Sequence, residues 1–204
     1  MGNIDEKIAK LKLEARISQE SEEKEKLEEQ LKLNKKKKTL EEVIEEMKEG
    51  VVTFEERSFA FKNQSYLNGK IEIPIPENFF VESDRTATNI GILNDTYGIS
   101  FTATFLEKGA IKQSFKQFKA GMERQFKTGG LYLEWLEEGE LIKEKSKVCY
   151  ATYKTPTGKG DTYNYLFFRE KKGSLIIGNY NCFYKNIEIW ELLIKASINL
   201  MRIK

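Results

Sequence analysis

Thr162-Tyr163-Asn164-Tyr165-Leu166-Phe167-Phe168-Arg169-Glu170, followed after Lys171-Lys172-Gly173 by Ser174-Leu175-Ile176-Ile177-Gly178-Asn179-Tyr180-Asn181-Cys182-Phe183, is the stretch that decides the architecture. A strand turns successive side chains to opposite faces. In the first run Tyr163, Tyr165 and Phe167 share one face and Leu166 and Phe168 the other. In the second, Ile176 and Tyr180 oppose Leu175, Ile177 and Phe183. Both faces read as largely apolar, whereas an antiparallel sheet with one wet face alternates more cleanly. The pattern predicts an α+β fold: an antiparallel sheet with helices on both faces, an α/β/α sandwich.

Upstream, residues 148–155 supply another strand, joined to 162–170 by the turn Pro156-Thr157-Gly158-Lys159-Gly160. Strands are also expected at 131–136 and 140–144, on either side of a turn at Gly139. Ile99, Phe101, Ala103 and Phe105 alternate in a further strand, and Asn89 to Asn94 is a short apolar run. Ile71, Ile73 and Ile75 alternate after the turn Tyr66-Leu67-Asn68-Gly69, with Pro74 and Pro76 confining that strand to an edge or an end. Residues 51–61 are expected to form one strand. Two helices supply the covering layers. Ile111, Phe115, Phe118, Met122 and Phe126 recur at helical spacing over 111–127, and Trp190, Leu193, Ile194, Ser197 and Met201 over 188–202.

Composition breaks near Gly50. Residues 1–50 hold 12 Lys/Arg and 14 Asp/Glu with no aromatic residue, while every aromatic residue and all three prolines lie in 51–204. The expected division is therefore a charged helical segment, 1–50, preceding a sandwich domain, 51–204. Within the first segment Ile4, Ile8, Leu11 and Ala15 make a narrow apolar stripe. Ala9, Leu13 and Ile17 lie roughly opposite, and Leu27 and Leu31 begin another short stripe. A narrow stripe on a charged helix is suited to another helix, so Ile4, Ile8, Leu11, Ala15, Leu27 and Leu31 are the candidate partner-binding residues. They serve self-association, capture of another protein, or docking on the chain's own domain. A second helix follows, with Thr39 and Glu42 as a capping box, Leu40, Val43, Ile44 and Met47 as its apolar face, and Gly50 as its stop.

The 204-residue chain has 34 Lys/Arg and 32 Asp/Glu and no histidine. Without histidine there is no Ser-His-Asp or Cys-His nucleophile system, no His-ligated metal and no ordinary general base near neutral pH. Cys149 and Cys182 cannot make a four-Cys zinc site. Thr157-Gly158-Lys159-Gly160-Asp161-Thr162 has Tyr153 where a phosphate loop needs its first glycine, and a strand follows it, so it reads as a hairpin turn. Glu134, Glu137, Glu138 and Glu140 read as exposed around Gly139. Lys147, on the same face as Cys149, favours its thiolate slightly, but no histidine is present to act as its base, and Cys149 and Cys182 are expected as free buried thiols. Tyr163, Tyr165, Tyr180 and Tyr184 lack the interleaved basic residues of a nucleic-acid platform, and the tetralysine 35–38 is flanked by acidic stretches, which reads as a solvated linker. No enzyme activity, cofactor, metal, nucleic acid or stable membrane insertion is expected, and a cytoplasmic location is.

The order strand, strand, helix, antiparallel meander, C-terminal helix resembles the PsbP-like superfamily, which includes the bacterial DcrB-type domains. The residues that carry the likeness are Lys70-Ile71-Glu72-Ile73-Pro74-Ile75-Pro76-Glu77-Asn78-Phe79, the helix around 115–126, the meander 148–183 and Trp190-Glu191-Leu192-Leu193-Ile194-Lys195-Ala196-Ser197-Ile198. It covers roughly 66–204. The resemblance implies a non-catalytic bacterial adaptor or chaperone-like accessory protein that binds a protein client, in a secretion-associated setting. An immunity or antitoxin-type protein and a small-ligand binder with an aromatic pocket are the other two readings.

Overall fold

Thr39 and Glu42 close the capping box at the start of α1, Leu40–Glu49. The Glu42 N–H donates to the Thr39 hydroxyl at 3.2 Å and the Thr39 N–H to the Glu42 carboxylate at 2.8 Å. Gly50, in the left-handed region, ends the helix. The computed structural model describes residues 38–55, 57–108, 113–143 and 146–204, and one compact unit runs from Thr39 to Lys204. The change of composition falls at Gly50, yet α1 is part of that unit. Its Val43 and Met47 are buried in the core, and Leu40 and Ile44 pack beside them. The glutamates on its wet side gave it the composition of the preceding segment.

The strands form two sheets rather than one. Residues 51–61, expected as one strand, turn back on themselves: β1, Val51–Phe54, pairs antiparallel with β2, Arg57–Tyr66. β3, Ile71–Pro76, pairs with β2 on one side and, through Ile71 and Glu72, with the short β11, Arg202–Ile203, on the other. Pro74 and Pro76 lie beyond the residues that β11 pairs, where β3 is an edge and a missing N–H is tolerated. The larger sheet contains β4, Val81–Arg85; β5, Asn89–Asn94; β6, Ile99–Leu106; β7, Glu134–Lys143; β8, Ser146–Thr157; β9, Gly160–Lys171; and β10, Ser174–Phe183. Its order is β4-β5-β6-β10-β9-β8-β7, antiparallel throughout.

Each face of the large sheet meets a helix. On the inner face Phe101, Tyr165, Phe167, Ile176 and Tyr180 share one core with Ile71, Ile73 and Ile75, with α1, and with Trp190, Leu193 and Ile194 of α3, Ile187–Leu200. The Phe101 ring stacks on Tyr180 at 4.3 Å and lies parallel to Phe167 at 6.5 Å. Gly178 is paired with Phe167, whose ring occupies the space a side chain would need. On the outer face Ala151, Tyr153, Leu166, Phe168 and Leu175 are buried, and α2, Phe115–Thr128, lies over part of this group. Phe115 and Phe118 meet Phe168 at 5.0 and 4.9 Å, and Phe126 meets Tyr153 at 6.3 Å. The helix begins at Ser114, whose hydroxyl accepts from the Gln117 N–H; Ile111 lies outside the described residues.

The outer face differs from expectation in one respect. It is apolar along β7 to β9 under α2 and at the start of β10, at Leu175 and Ile177. Further along β10 and across β6 the same face carries Asn179, Asn181, Ser100, Thr102 and Thr104, half-buried or exposed. Short hydrogen-bonding side chains replace hydrophobic ones there: Ser100 donates to Asn181 at 3.1 Å and Thr104 to Asn89 at 2.9 Å.

Tyr180 supplies a first prediction. Its ring is 3% exposed and its hydroxyl has no hydrogen-bond partner among the described residues; burial pushes its pKa strongly upward. A buried unpaired hydroxyl costs about 1–3 kcal/mol. Tyr180→Phe is expected to hold or raise stability, by up to about 1 kcal/mol, with an unchanged m-value in urea. A loss of that size would show that the hydroxyl has a partner.

Candidate functional site

The acidic stretch 134–140 is not a turn. β7 runs unbroken through Gly139, with one irregularity between Trp135 and Glu137. Glycine stands at 139 because the Tyr150 side chain lies across it: a Cβ there would come within 2.7 Å of the Tyr150 hydroxyl oxygen. The carboxylates are largely exposed, as expected, and each of three meets a lysine. Glu137 pairs with Lys195 at 2.8 Å, Glu138 with Lys119, and Glu140 with Lys147 at 2.6 Å.

Glu137 is the centre of a clip between β7 and α3. Its Oε2 accepts from Lys195 Nζ, and its Oε1 accepts from the Tyr150 hydroxyl at 2.8 Å. Lys195 also meets Glu191 at 3.0 Å, one helical turn earlier, and Tyr163 donates to Glu191 at 3.4 Å. The Lys195 hydrogen bond holds Glu137 below the usual carboxylate range. Burial works against the charge on Lys195, but the two carboxylates outweigh it and raise its pKa. Burial raises the Tyr150 and Tyr163 hydroxyls. At neutral pH every group is thus fixed in its ordinary form, the reverse of the tuning that proton-transfer chemistry uses.

The clip has a pH signature. Because the folded state depresses the Glu137 pKa, its contribution is present above the unfolded carboxylate range, about 4.3, and is lost as pH falls through the lower folded value. Glu137 is 45% exposed, so the contribution is under about 1 kcal/mol. Glu137→Gln is expected to be less stable than the parent at pH 7 and equal to it at about pH 3. A gap that persists at low pH would assign the effect to packing.

Four of the exposed large apolar residues lie along this stretch of the chain: Leu131 (61%), Tyr132 (63%), Leu136 (40%) and Ile142 (83%). The sequence reading placed Leu131 and Tyr132 in a strand, but the strand starts at Glu134, leaving both in the α2–β7 connection. Leu141 packs against the core, so Ile142, the next residue of the strand, turns to the other face. Trp135 ties the region to α2. Its Nε1 donates to Glu123 at 2.6 Å, and Lys119 Nζ stands 4.2 Å from its ring.

The remaining candidates are structural. Tyr163, Tyr165 and Tyr180 are buried and Tyr184 is half-buried against the core. Cys182 is buried, with its thiol pushed up to about 12 by burial. Cys149 is a free thiol as expected, half-buried rather than buried, and burial raises it against the slight pull of Lys147. Ser197 faces the core, 3.7 Å from Met47 Sδ. Among the described residues no group of His, Cys, Asp or Glu is arranged to hold a metal, and no helix is long and apolar enough to cross a membrane. The aromatic cluster Phe59, Phe79, Trp190 is packed ring on ring. The depression beside it, at Arg57, Lys185 and Trp190, is about 110 Å³, well under the ~300–1,000 Å³ of small-molecule sites. Ile4, Ile8, Leu11, Ala15, Leu27 and Leu31 lie outside the described residues.

No protein-family model and no curated protein matches this chain. Solved structures do. The solution structure of the cyanobacterial PsbP (CyanoP) of Synechocystis sp. PCC 6803 superposes with a TM-score of 0.56 at 8% identity, covering 75% of this chain and 98% of that one. A Pseudomonas aeruginosa protein of unknown function gives 0.43 at 9% identity over 76% of this chain and 96% of its own. A Bacteroides thetaiotaomicron VPI-5482 protein gives 0.44 at 10% identity over 70% and 48%. With the two sheets, the covering helices and the CyanoP superposition together, the chain has a PsbP-like fold.

Proposed function

We propose that this chain is a non-catalytic accessory protein that holds another protein. The observation that carries the reading is the run of exposed apolar side chains along 131–142: Leu131 and Tyr132 in the α2–β7 connection, and Leu136 and Ile142 on β7, the edge strand of the large sheet. Large apolar side chains exposed along an unpaired edge strand mark a surface for contact with another chain. The locked protonation states of Glu137, Lys195, Tyr150 and Tyr163 support the same reading, since they leave this cluster no acid or base to work with near pH 7. The N-terminal stripe Ile4, Ile8, Leu11, Ala15 and the separate short stripe begun by Leu27 and Leu31 supply a second contact, to the same partner or to another copy of the chain. The setting is a cytoplasmic one, with a secretion factor or a toxin as the client.

The test is capture of a neighbouring-gene product by the full chain from its native cells. The comparison proteins are a Leu131→Ser/Ile142→Lys variant and a chain lacking residues 1–37. A defined product held by the parent and lost from the surface variant at unchanged Tm is the expected result. No stoichiometric product, or retention indifferent to both changes, would overturn the proposal.

A further inference from the structure

We propose that the outer edge of β7 takes up an extended segment of the partner protein as an added antiparallel strand, attached chiefly through backbone hydrogen bonds. The inference rests on the protein-binding reading above and gives the partner's conformation and chemistry at that surface.

β7 ends the large sheet on its side, and β8 is its only strand partner among the described residues. Successive residues of a strand aim their N–H and C=O groups to alternate sides, so every second residue of β7 aims both away from β8. Outside the β7–β8 ladder, no backbone–backbone hydrogen bond involves residues 137–142 among the described residues. The other edges are guarded. β1 has four residues and β11 two, and the free part of β3 carries Pro74 and Pro76. β4 has five residues, all exposed, with Glu82, Asp84 and Arg85 among them and a register shift between Glu82 and Asp84. Short strands, prolines, charges and irregular register keep edges from pairing. β7 instead has ten residues. Its register shift lies near its start, between Trp135 and Glu137, and the pairing is regular from there to Lys143. Glu137, Glu138 and Glu140 are each bound to a lysine of their own chain, so their charges guard it little.

The side chains of β7 indicate what fits. Residues directly opposite in paired strands share a face. Glu138, which meets Lys119 of α2, lies on the outer face with Glu140 and Ile142; Leu141, packed against the core, lies on the inner face with Gly139. The exposed Ile142 asks for an apolar side chain opposite it. Lys119 takes one oxygen of Glu138 and Lys147 one of Glu140, which leaves each carboxylate a second oxygen for a lysine on the added strand. A second copy of this chain fits less well. Paired two-fold with itself about Glu137, Glu138, Gly139 or Glu140, β7 sets a glutamate directly opposite a glutamate, and about Leu141 it pairs only Gly139 to Lys143. Like charges in opposed positions destabilise a sheet. An apolar, lysine-bearing strand of another protein satisfies both the backbone and the side chains.

The probe is a synthetic peptide of about eight residues, running antiparallel to β7. It sets isoleucine against Ile142, valine against Leu141 and lysines against Glu138 and Glu140. Two further peptides carry N-methyl groups on alternate residues, one on the odd positions and one on the even. N-methylation removes a backbone donor and leaves every side chain in place. An added strand pairs along one of its sides, so one methylated peptide should bind within about twofold of the parent and the other about tenfold or more weakly. Binding is read by Trp135 fluorescence of the full-length chain. Amide hydrogen exchange should slow at alternate residues of 137–142 when the parent peptide is bound. Equal binding of the two methylated peptides, no change in exchange along β7, or no saturation at about 1 mM parent peptide would overturn the proposal. So would a dimer of the peptide-free chain that protects the same amides. If the peptides fail while Leu131→Ser/Ile142→Lys still releases a native product, strand addition falls and the accessory reading stands. If they behave as expected and no native product is held, the accessory reading falls and the edge site stands.

Discussion

Replacing Arg169 with alanine is expected to cost about 3–4 kcal/mol, a Tm loss near 10 °C for a domain of this size. Arg169 is 2% exposed and sits on the inner face of β9, paired with Ile176. Its guanidinium donates to Ser146 at 3.1 Å, to the Ile198 carbonyl at 3.3 Å and to the Met201 carbonyl. Those two carbonyls belong to the last turn of α3 and the residue after it, where carbonyls have no partners within the helix and the helix dipole favours a cation. The planar fork reaches the helix end and β8 at once. Truncation strands buried acceptors in an apolar core. Arg169→Lys keeps the charge but not the fork, and about half the loss is expected to remain. Urea unfolding of both variants checks this. A loss below about 1 kcal/mol for the alanine variant would mean that water reaches the helix end.

Trp190→Ala is expected to cost about 3–5 kcal/mol. The indole is 4% exposed and touches Phe59 at 5.5 Å, Phe79 at 5.4 Å and Tyr97 at 6.2 Å. Phe59 belongs to the small sheet, Phe79 to the connection between β3 and β4, and Tyr97 to the turn between β5 and β6. One side chain of α3 therefore joins both sheets, and a cavity there cannot be closed by moving any single element. Trp190→Phe should recover more than half of the loss. The second readout is limited proteolysis. In the alanine variant the connection at 77–80 should be cut first, and cleavage spread evenly over the chain would contradict the assigned role.

Which parts of this were legible follows from how local each signal is. Thr39, Glu42 and Gly50 fix α1 within three or four residues of themselves, and the sequence shows them plainly. The meander β8 to β10 was legible for the same reason: alternation, then a turn, then alternation. β4 was not. Its five residues, Val81 to Arg85, are all exposed, and a charged edge strand carries no burial pattern to read. β11 is two residues long and exists only because β3 has a free side. The buried Arg169 was in plain view in one sense, since period two places it with Phe167 and Tyr165. What no periodicity reveals is that a helix end, some 30 residues later, supplies its acceptors. The exposed apolar run along 131–142 was not legible: the outward turn of Ile142 depends on Leu141 packing inward, and the exposure of Leu131 and Tyr132 on where β7 starts. The polar part of the outer face was hidden because Leu175, Ile177 and Phe183 outnumber Asn179 and Asn181 on that side of β10, while β6 alternates apolar residues with Ser100, Thr102 and Thr104.

The strand order of the large sheet has a kinetic consequence. β7, β8, β9 and β10 are consecutive hairpins, so their pairing needs only short closures. Joining β10 to β6 must bring together strands separated by all of residues 107–173, and that ordering entropy has to be met before the contact repays it. The hairpin array is therefore the early-forming half, and the β4–β6 ribbon arrives late. In a nascent chain the hydrophobic side of β10 waits, unpaired at its β6 edge, for a ribbon already synthesised but not yet held, which makes that edge the point where misassembly between two newly made chains would begin.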